Sequence, residues 1–398
     1  MRSRASSKTE SASDPGAPLT LRLLFLGDLI LDEPDPDSFF EPSGELLRSA
    51  DLVVGHVEVP HTARGLPSSV DIPAPPADPA HLSALARAGI GVATLAGNHI
   101  FDSGPHGVED TIATLQELGI ATAGAGMTLD EARRPAIVER GGVRIGVLSY
   151  NCVGPRESRA TSRKAGAASL DVLTHYELDY AGPGGPPRVY TFVAPEGLDA
   201  LRDDVLALRA SVDVAVVAFH QGLGHVPVKV HAYEHELGRT AIDCGADIVV
   251  GHHAHILRGI EIYRDRPIFH GLGNFVAVTR ALTPGGASVG ELEAWARRRR
   301  ELFGFAPDPA MPFYPFHPES RNTMVADCRI EGGAVEAAFV PCWIDDSGRP
   351  VPMERSEEVI AYVERITAEA GLATSFRRDG SRVIVTAQEQ ASGSVSGP

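Results

Sequence analysis

The 398-residue chain is 43% hydrophobic and 22% charged, the composition of a soluble globular protein with enough residues for a sizeable core. Its formal charge of -16 excludes a surface built mainly to grip nucleic-acid phosphates or anionic lipid, since both need a basic face. Four cysteines, Cys152, Cys244, Cys328 and Cys342, have no CxxC spacing and read as buried thiols.

Residues 1–18 and 388–398 are aperiodic and rich in Ser, Gly and Pro, so they read as disordered tails around one domain over 19–387. The first apolar run, LRLLFLGDLIL, is too short and too interrupted by Asp28 for a membrane span or signal core; a cytoplasmic protein with no membrane partner is expected. Strand patterns at 21–26, 52–57 and 91–95 alternate with helical ones at about 38–49, 78–88 and 107–118, followed by a short strand at 121–123. That rhythm predicts a mainly parallel sheet with crossover helices. The Gly141–Gly142 pair between 135–139 and 143–149 predicts a β-hairpin.

The aperiodic stretch at about 154–190 reads as a long loop insertion and a candidate lid. A helix at 198–209, a strand at 212–219, a helix at 231–243 and a strand at 246–250 come next, then strands at 258–263 and 266–270. A second insertion covers about 277–320; within it GELEAWARRRRELF reads as a helix with Arg297 to Arg300 on its solvated side. Strands at 322–330 and 335–343 and a helix at 354–369 complete the pattern.

Chemistry concentrates where these strands end, the edge at which open α/β sheets bind ligands. Asp28 follows the first strand, and His56 and Glu58 close the second with the spacing of two that puts both on one face. Asn98, His99 and Asp102 follow the third; His220 ends DVAVVAFH, and Asn274 follows the strand that carries His270. GADIVVGHHAHILRG at 245–259 delivers His252, His253 and His255 together. If strand geometry continues there, His253 and His255 share a face while His252 turns away and is structural. Singly, such residues have ordinary explanations: an Asp caps a helix, an Asn forms a turn, a His bonds a loop carbonyl. Their repetition at successive strand ends instead points to a hard or borderline divalent cation held by oxygen and nitrogen.

The ordered set GD (27–28), ADLVVGHVEVP (50–60), AGNHIFDSG (96–104), GIATAGAG (119–126), FHQG (219–222), GADIVVGHHAHILRGIE (245–261) and GLGNF (271–275) resembles the CapA-like proteins of poly-γ-glutamate capsule synthesis, within the calcineurin-like metallophosphatase superfamily. The resemblance covers roughly residues 20–276 and implies a four-layer αββα sandwich, an α/β fold in a single domain with insertions. It also implies a metal shell of Asp28, Glu58, Asn98, His220, His253 and His255, with His99 as general acid and Asp102 orienting it. Two departures stand out. The superfamily's His ligand two residues after the first Asp is absent, since Leu29 and Ile30 follow Asp28; and His56 replaces the usual Asn before the motif's Glu.

The missing ligand predicts one tightly held cation (calcium, manganese, magnesium or zinc) rather than two. The surplus imidazoles, with His56, His99 and His220 available for acid/base work, suggest proton transfer at a Cα centre of a peptide. Within the family this resembles the epimerase of lasso-peptide biosynthesis, acting on the C-terminal residue of a ribosomal precursor. The alternative is an accessory role in poly-γ-glutamate synthesis or phosphoester hydrolysis, and the third reading is a non-enzymatic binding protein. A peptide is the expected partner, and nucleic acid is not.

Overall fold

The computed structural model describes residues 20–66, 74–177 and 185–388. The two expected tails therefore lie almost wholly outside the described residues. Two mixed sheets dominate. In the larger, the strand Thr20–Leu31 is central: Leu52–Val57, Ile90–Thr94 and Ala121–Ala123 extend it in parallel on one side. On its other side it pairs twice, through its first half with the antiparallel Asn322–Glu331 and through its second half with the parallel Asn274–Val278. In the smaller sheet Val143–Asn151, Val214–His220, Ile248–His252 and Arg266–Phe269 run parallel, with the antiparallel strands Ala136–Arg140 and Ile260–Tyr263 at its two edges.

Side-chain alternation makes four layers from these sheets. Leu23, Phe25, Val54 and Val92 of the larger sheet pack on Val147, Val216, Ile248 and Val250 of the smaller, forming one apolar layer between them. The other face of the larger sheet, with Leu24, Leu26 and Val53, is covered by Leu47, Leu85, Val108 and Leu115 from the helices Gly44–Arg48, Ser83–Ala88 and Gly104–Glu117. Leu148, Val217 and Val249 of the smaller sheet meet Leu201, Val205 and Leu237 from Pro195–Arg209 and Ala232–Asp243. The expected αββα order is the one observed.

Several expectations change. The first strand runs to Leu31, beyond the expected Leu26, and holds Asp28 inside it, at a register irregularity, rather than at its end. Such a bulge re-aims a side chain without ending the strand. The insertion at 154–190 is not a structureless loop: Val172–Glu177 and Arg188–Val193 pair as an antiparallel ribbon on either side of residues outside the description. A final hairpin, Thr374–Asp379 with Arg382–Ala387, had no counterpart in the sequence reading. Cys152, Cys328 and Cys342 are buried, but Cys244 is only half-buried. Among the described residues no helix is long and apolar enough to cross a membrane.

Candidate metal centre

The site lies where both sheets present their carboxyl ends to each other, and close backbone contact brings them there. The Asp28 N–H donates to the Gly273 carbonyl at 2.8 Å. A Cβ on Gly27 would lie 2.2 Å from that same oxygen, so glycine is required at 27 for the approach. Asp28 is thereby fixed beneath the loop after the Ile248–His252 strand. Its Oδ1 is 3.1 Å from His252 Nδ1 and its Oδ2 accepts from the His253 N–H at 3.3 Å.

His253 and His255 do not continue the strand. Both have positive φ, 88° and 52°, a region that residues with a Cβ rarely occupy and that clusters at functional sites. The chain turns sharply after His252, so the shared-face argument from strand spacing fails, although both imidazoles reach the centre. His252 does not turn away: besides its contact with Asp28, its ring stacks on His56 at 4.5 Å.

All six expected ligands converge. The His255 ring spans two carboxylates, with Nδ1 3.3 Å from Asp28 Oδ2 and Nε2 3.3 Å from Glu58 Oε1. These are ion-pair separations rather than well-aligned hydrogen bonds, and both Glu58 oxygens are otherwise unpartnered while fully buried. His220 Nε2 is 2.8 Å from Asn98 Oδ1 and 3.2 Å from His253 Nδ1. Two triplets of donor atoms lie within 4.8 Å of one another, Asp28–His56–His220 and Asp28–Glu58–His255, and Asp28 belongs to both. His56 Nε2 and His220 Nδ1 are buried without partners as well.

The fit to a divalent cation rests on these orphaned atoms. Buried carboxylate oxygens without hydrogen-bond partners are costly unless a positive charge meets them. The donors are oxygen and imidazole nitrogen only, and two triplets share a carboxylate, where one cation had been expected. No imidazole occupies the position two residues after Asp28; His56, from the neighbouring strand, offers its Nε2 to the Asp28 triplet instead. Its Nδ1 is held by the Thr94 hydroxyl at 3.0 Å.

The electrostatics follow from burial. Desolvation, and then the neighbouring Glu58 charge, push Asp28 up to about 7. Glu58 is also desolvated, but His255 outweighs this and holds it down at about 2. Burial works against a charge on His255, yet Glu58 and Asp28 push its pKa up to about 9. Two buried carboxylates here compete for one positive charge, that of His255.

Beside this centre His99 Nδ1 is 2.7 Å from Asp102 Oδ2, an oxygen that also accepts from the Ala74 N–H at 2.9 Å. His99, Glu58 and His255 open onto a cleft whose other walls are mostly apolar, among them Ile30, Val59, Leu282 and Phe316, with Asp32 and Thr279 as further polar lining. The wall at Leu282 and Phe316 belongs to the 277–320 insertion, so among the described residues that segment, and not the expected lid at 154–190, borders the cleft. The insertion's helix is present at Val289–Phe303.

Three contributors lie outside the ligand set that the sequence motifs imply. His252, structural by strand spacing, contacts Asp28 and His56. Asn274 Oδ1 is 2.9 Å from His255 Nδ1, and its amide donates to the Tyr314 hydroxyl at 3.1 Å. His225, with positive φ, lies 5.9 Å from the His255 ring and 4.5 Å from Phe305. The Gly27–Asp28 and GLGNF motifs signalled the first contacts, but nothing local signals an insertion aromatic folding back.

A model of the family described as bacterial capsule synthesis protein PGA_cap matches residues 22–279. The capsule biosynthesis protein CapA of Bacillus anthracis is 29% identical over 197 residues, 49% of this chain and 42% of that protein. A probable polyglutamine synthesis accessory protein of Mycobacterium tuberculosis is 33% identical over 229 residues, 55% and 52% of the two chains. The PGA biosynthesis protein CapA of Bacillus subtilis is 26% identical over 268 residues, 63% and 62%. The chain thus spans about half the length of the curated relatives it matches. Among solved structures, a calcineurin-like phosphoesterase, YfkN from Bacillus subtilis, aligns with 89% of this chain and 98% of its own at 14% identity, with a TM-score of 0.39. With its motifs in order and the family match covering well over half of its residues, this chain belongs to the bacterial capsule synthesis protein PGA_cap family.

Proposed function

We propose that this protein is a metal-dependent hydrolase serving the synthesis of a polyglutamate-type polymer. The observation that carries the reading is Asp28, whose carboxylate belongs to two ligand triplets while His99 stands beside Glu58 on the cleft side. A shared carboxylate is the arrangement that holds two cations a few ångströms apart. Peptide epimerisation, favoured by the count of histidines, has no support among the relatives, whose names speak of capsule and polyglutamine synthesis. The imidazole surplus has another use here: His56 and His252 crowd Asp28 and complete its surroundings.

Divalent cations in such a site supply Lewis-acid polarisation of a substrate oxygen and acidify water. The protein's own groups do the rest. Asp28, His56, Glu58, Asn98, His220, His253 and His255 would hold the cations, with Asn274 keeping the His255 ring in place through Nδ1. His99 gives Nδ1–H to Asp102, which leaves Nε2 for proton transfer to a leaving oxygen. Burial disfavours a proton on both nitrogens, but the Asp102 bond and the Glu58 charge outweigh it and raise the pKa. A raised pKa suits a general acid near neutral pH. The mostly apolar lining of the cleft would limit water around the reacting group.

The test uses chelator-stripped protein reloaded with manganese, zinc, magnesium or calcium and assayed on phosphate mono- and diesters and on poly-γ-glutamate. Metal-dependent hydrolysis that His99→Ala abolishes is expected. A parallel incubation with peptides in deuterated water distinguishes the other chemistry: deuterium uptake at one Cα without hydrolysis would replace this reading by epimerisation.

A further inference from the structure

A second group of cation-ligating side chains lies away from the Asp28 centre. His235 on the helix Ala232–Asp243, Glu261 on the strand Ile260–Tyr263 and His270, just after Arg266–Phe269, converge on one carboxylate oxygen. His235 Nδ1 is 3.0 Å and His270 Nε2 3.1 Å from Glu261 Oε2. The two imidazole rings meet edge to face with centroids 5.1 Å apart, and the three donor atoms all lie within 4.8 Å of one another.

We propose that His235, Glu261 and His270 bind one divalent cation of the zinc class, separately from the Asp28 centre. Ligands about 2.0–2.1 Å from a tetrahedral ion stand roughly 3.3 Å apart, so the two observed separations need only small outward shifts to admit it. Two imidazoles and a carboxylate are the donors that zinc-class ions prefer over calcium or magnesium. Arg239 Nε donates to the other carboxylate oxygen at 2.7 Å, which fixes the plane of Glu261 and leaves Oε2 to face the imidazoles. His270 is fully buried with its Nδ1 unpartnered, and the neutral ring is the form that ligates metal. His235 is 26% exposed, giving an ion a way in and a solvent-facing fourth position.

The ion would brace the route to the main centre. From His270 the chain runs through Gly273, whose carbonyl anchors Asp28, to Asn274, which holds His255. A cation joining His270 to a helix and a neighbouring strand stiffens the start of that segment. The competing explanation is a hydrogen-bonded cluster in which Arg239 and two imidazoles satisfy Glu261 without any ion.

The two are separated in full-length, chelator-stripped protein carrying Asp28→Asn, which disables the main centre. Titration with cobalt(II), followed by its visible d–d absorption, and with zinc, counted by mass spectrometry of bound metal, should show one remaining equivalent. Adding His235→Gln should remove that equivalent and its absorption band, and Glu261→Gln should do the same. His235 is partly exposed and the glutamine keeps its polarity, so circular dichroism should show the fold retained. Zero residual equivalents in Asp28→Asn, or an equivalent that survives both further substitutions, would overturn the proposal.

Discussion

Arg258→Met tests how the loop bearing the histidines is held. Arg258 is the largest fully buried side chain in the described protein, three residues after His255. Its guanidinium pairs with Glu234, also fully buried, and donates to the Lys229 carbonyl. A Cβ on Gly222 would fall 2.0 Å from Arg258 Nη1, so the loop after the His220 strand is shaped around this group. In Arg258→Met the Glu234 carboxylate keeps only the His231 N–H, at 2.9 Å, and stays buried with its charge uncompensated. Breaking such a pair costs about 3–5 kcal/mol. Arg258→Met/Glu234→Gln removes the stranded charge and keeps an acceptor for His231, so it should recover most of that loss. Urea unfolding followed by circular dichroism measures all three proteins. A single variant within about 1 kcal/mol of the parent, or a double variant no more stable than the single, would refute the reasoning.

Asp28→Ala should lose bound metal and hydrolysis together, as read by mass spectrometry of the purified protein and by turnover, because both triplets need this carboxylate. His99→Ala should abolish turnover while metal content stays at the parent level; a parallel loss of metal would make His99 a ligand rather than an acid. His61 gives a pH prediction independent of the centre's chemistry. It is buried, with Nε2 unpartnered, and burial holds its pKa down at about 4 against 6.5 for a free imidazole. The folded state therefore resists a proton that the unfolded chain accepts. The stability involved is full above pH 6.5 and is lost as pH falls towards 4, amounting there to about 3 kcal/mol. His61→Gln should flatten that part of the acid limb, and parallel pH slopes for the two proteins in urea titrations would contradict it.

The layers and the ligands were legible in the sequence because both follow from short-range pattern. Runs such as DLVVGHVEVP and DVAVVAFHQG state at once that a strand is buried and that a polar side chain leaves its end. What was illegible depends on contacts between distant residues. The spacing of His253 and His255 could not announce two positive φ values, which arise because the His253 N–H is drawn to Asp28 Oδ2, 225 residues away in sequence. His252 looked structural since strand alternation turns it from its neighbours, yet the turn leaves it against Asp28 and His56. The 154–190 stretch lacked the apolar period of a core strand because its paired strands form an exposed ribbon, with Tyr176, Val189 and Tyr190 open to solvent.

The strained backbone and the buried charges at the centre make sense together. A non-glycine residue at positive φ costs of order 1–3 kcal/mol, and the turn after His252 holds two of them. That strain brings His255 between Asp28 and Glu58, where among the described residues a protonated ring is the one positive charge that reaches both carboxylates. One imidazolium does not match two carboxylates, which is why burial and Glu58 together still push Asp28 towards neutrality. Glu58 and His255 would hold a divalent cation at this centre, which would supply the missing positive charge to the unpartnered Glu58 oxygens. A lone acid/base histidine pair would need neither the shared carboxylate nor the strain, so the arrangement argues for a cation at this centre.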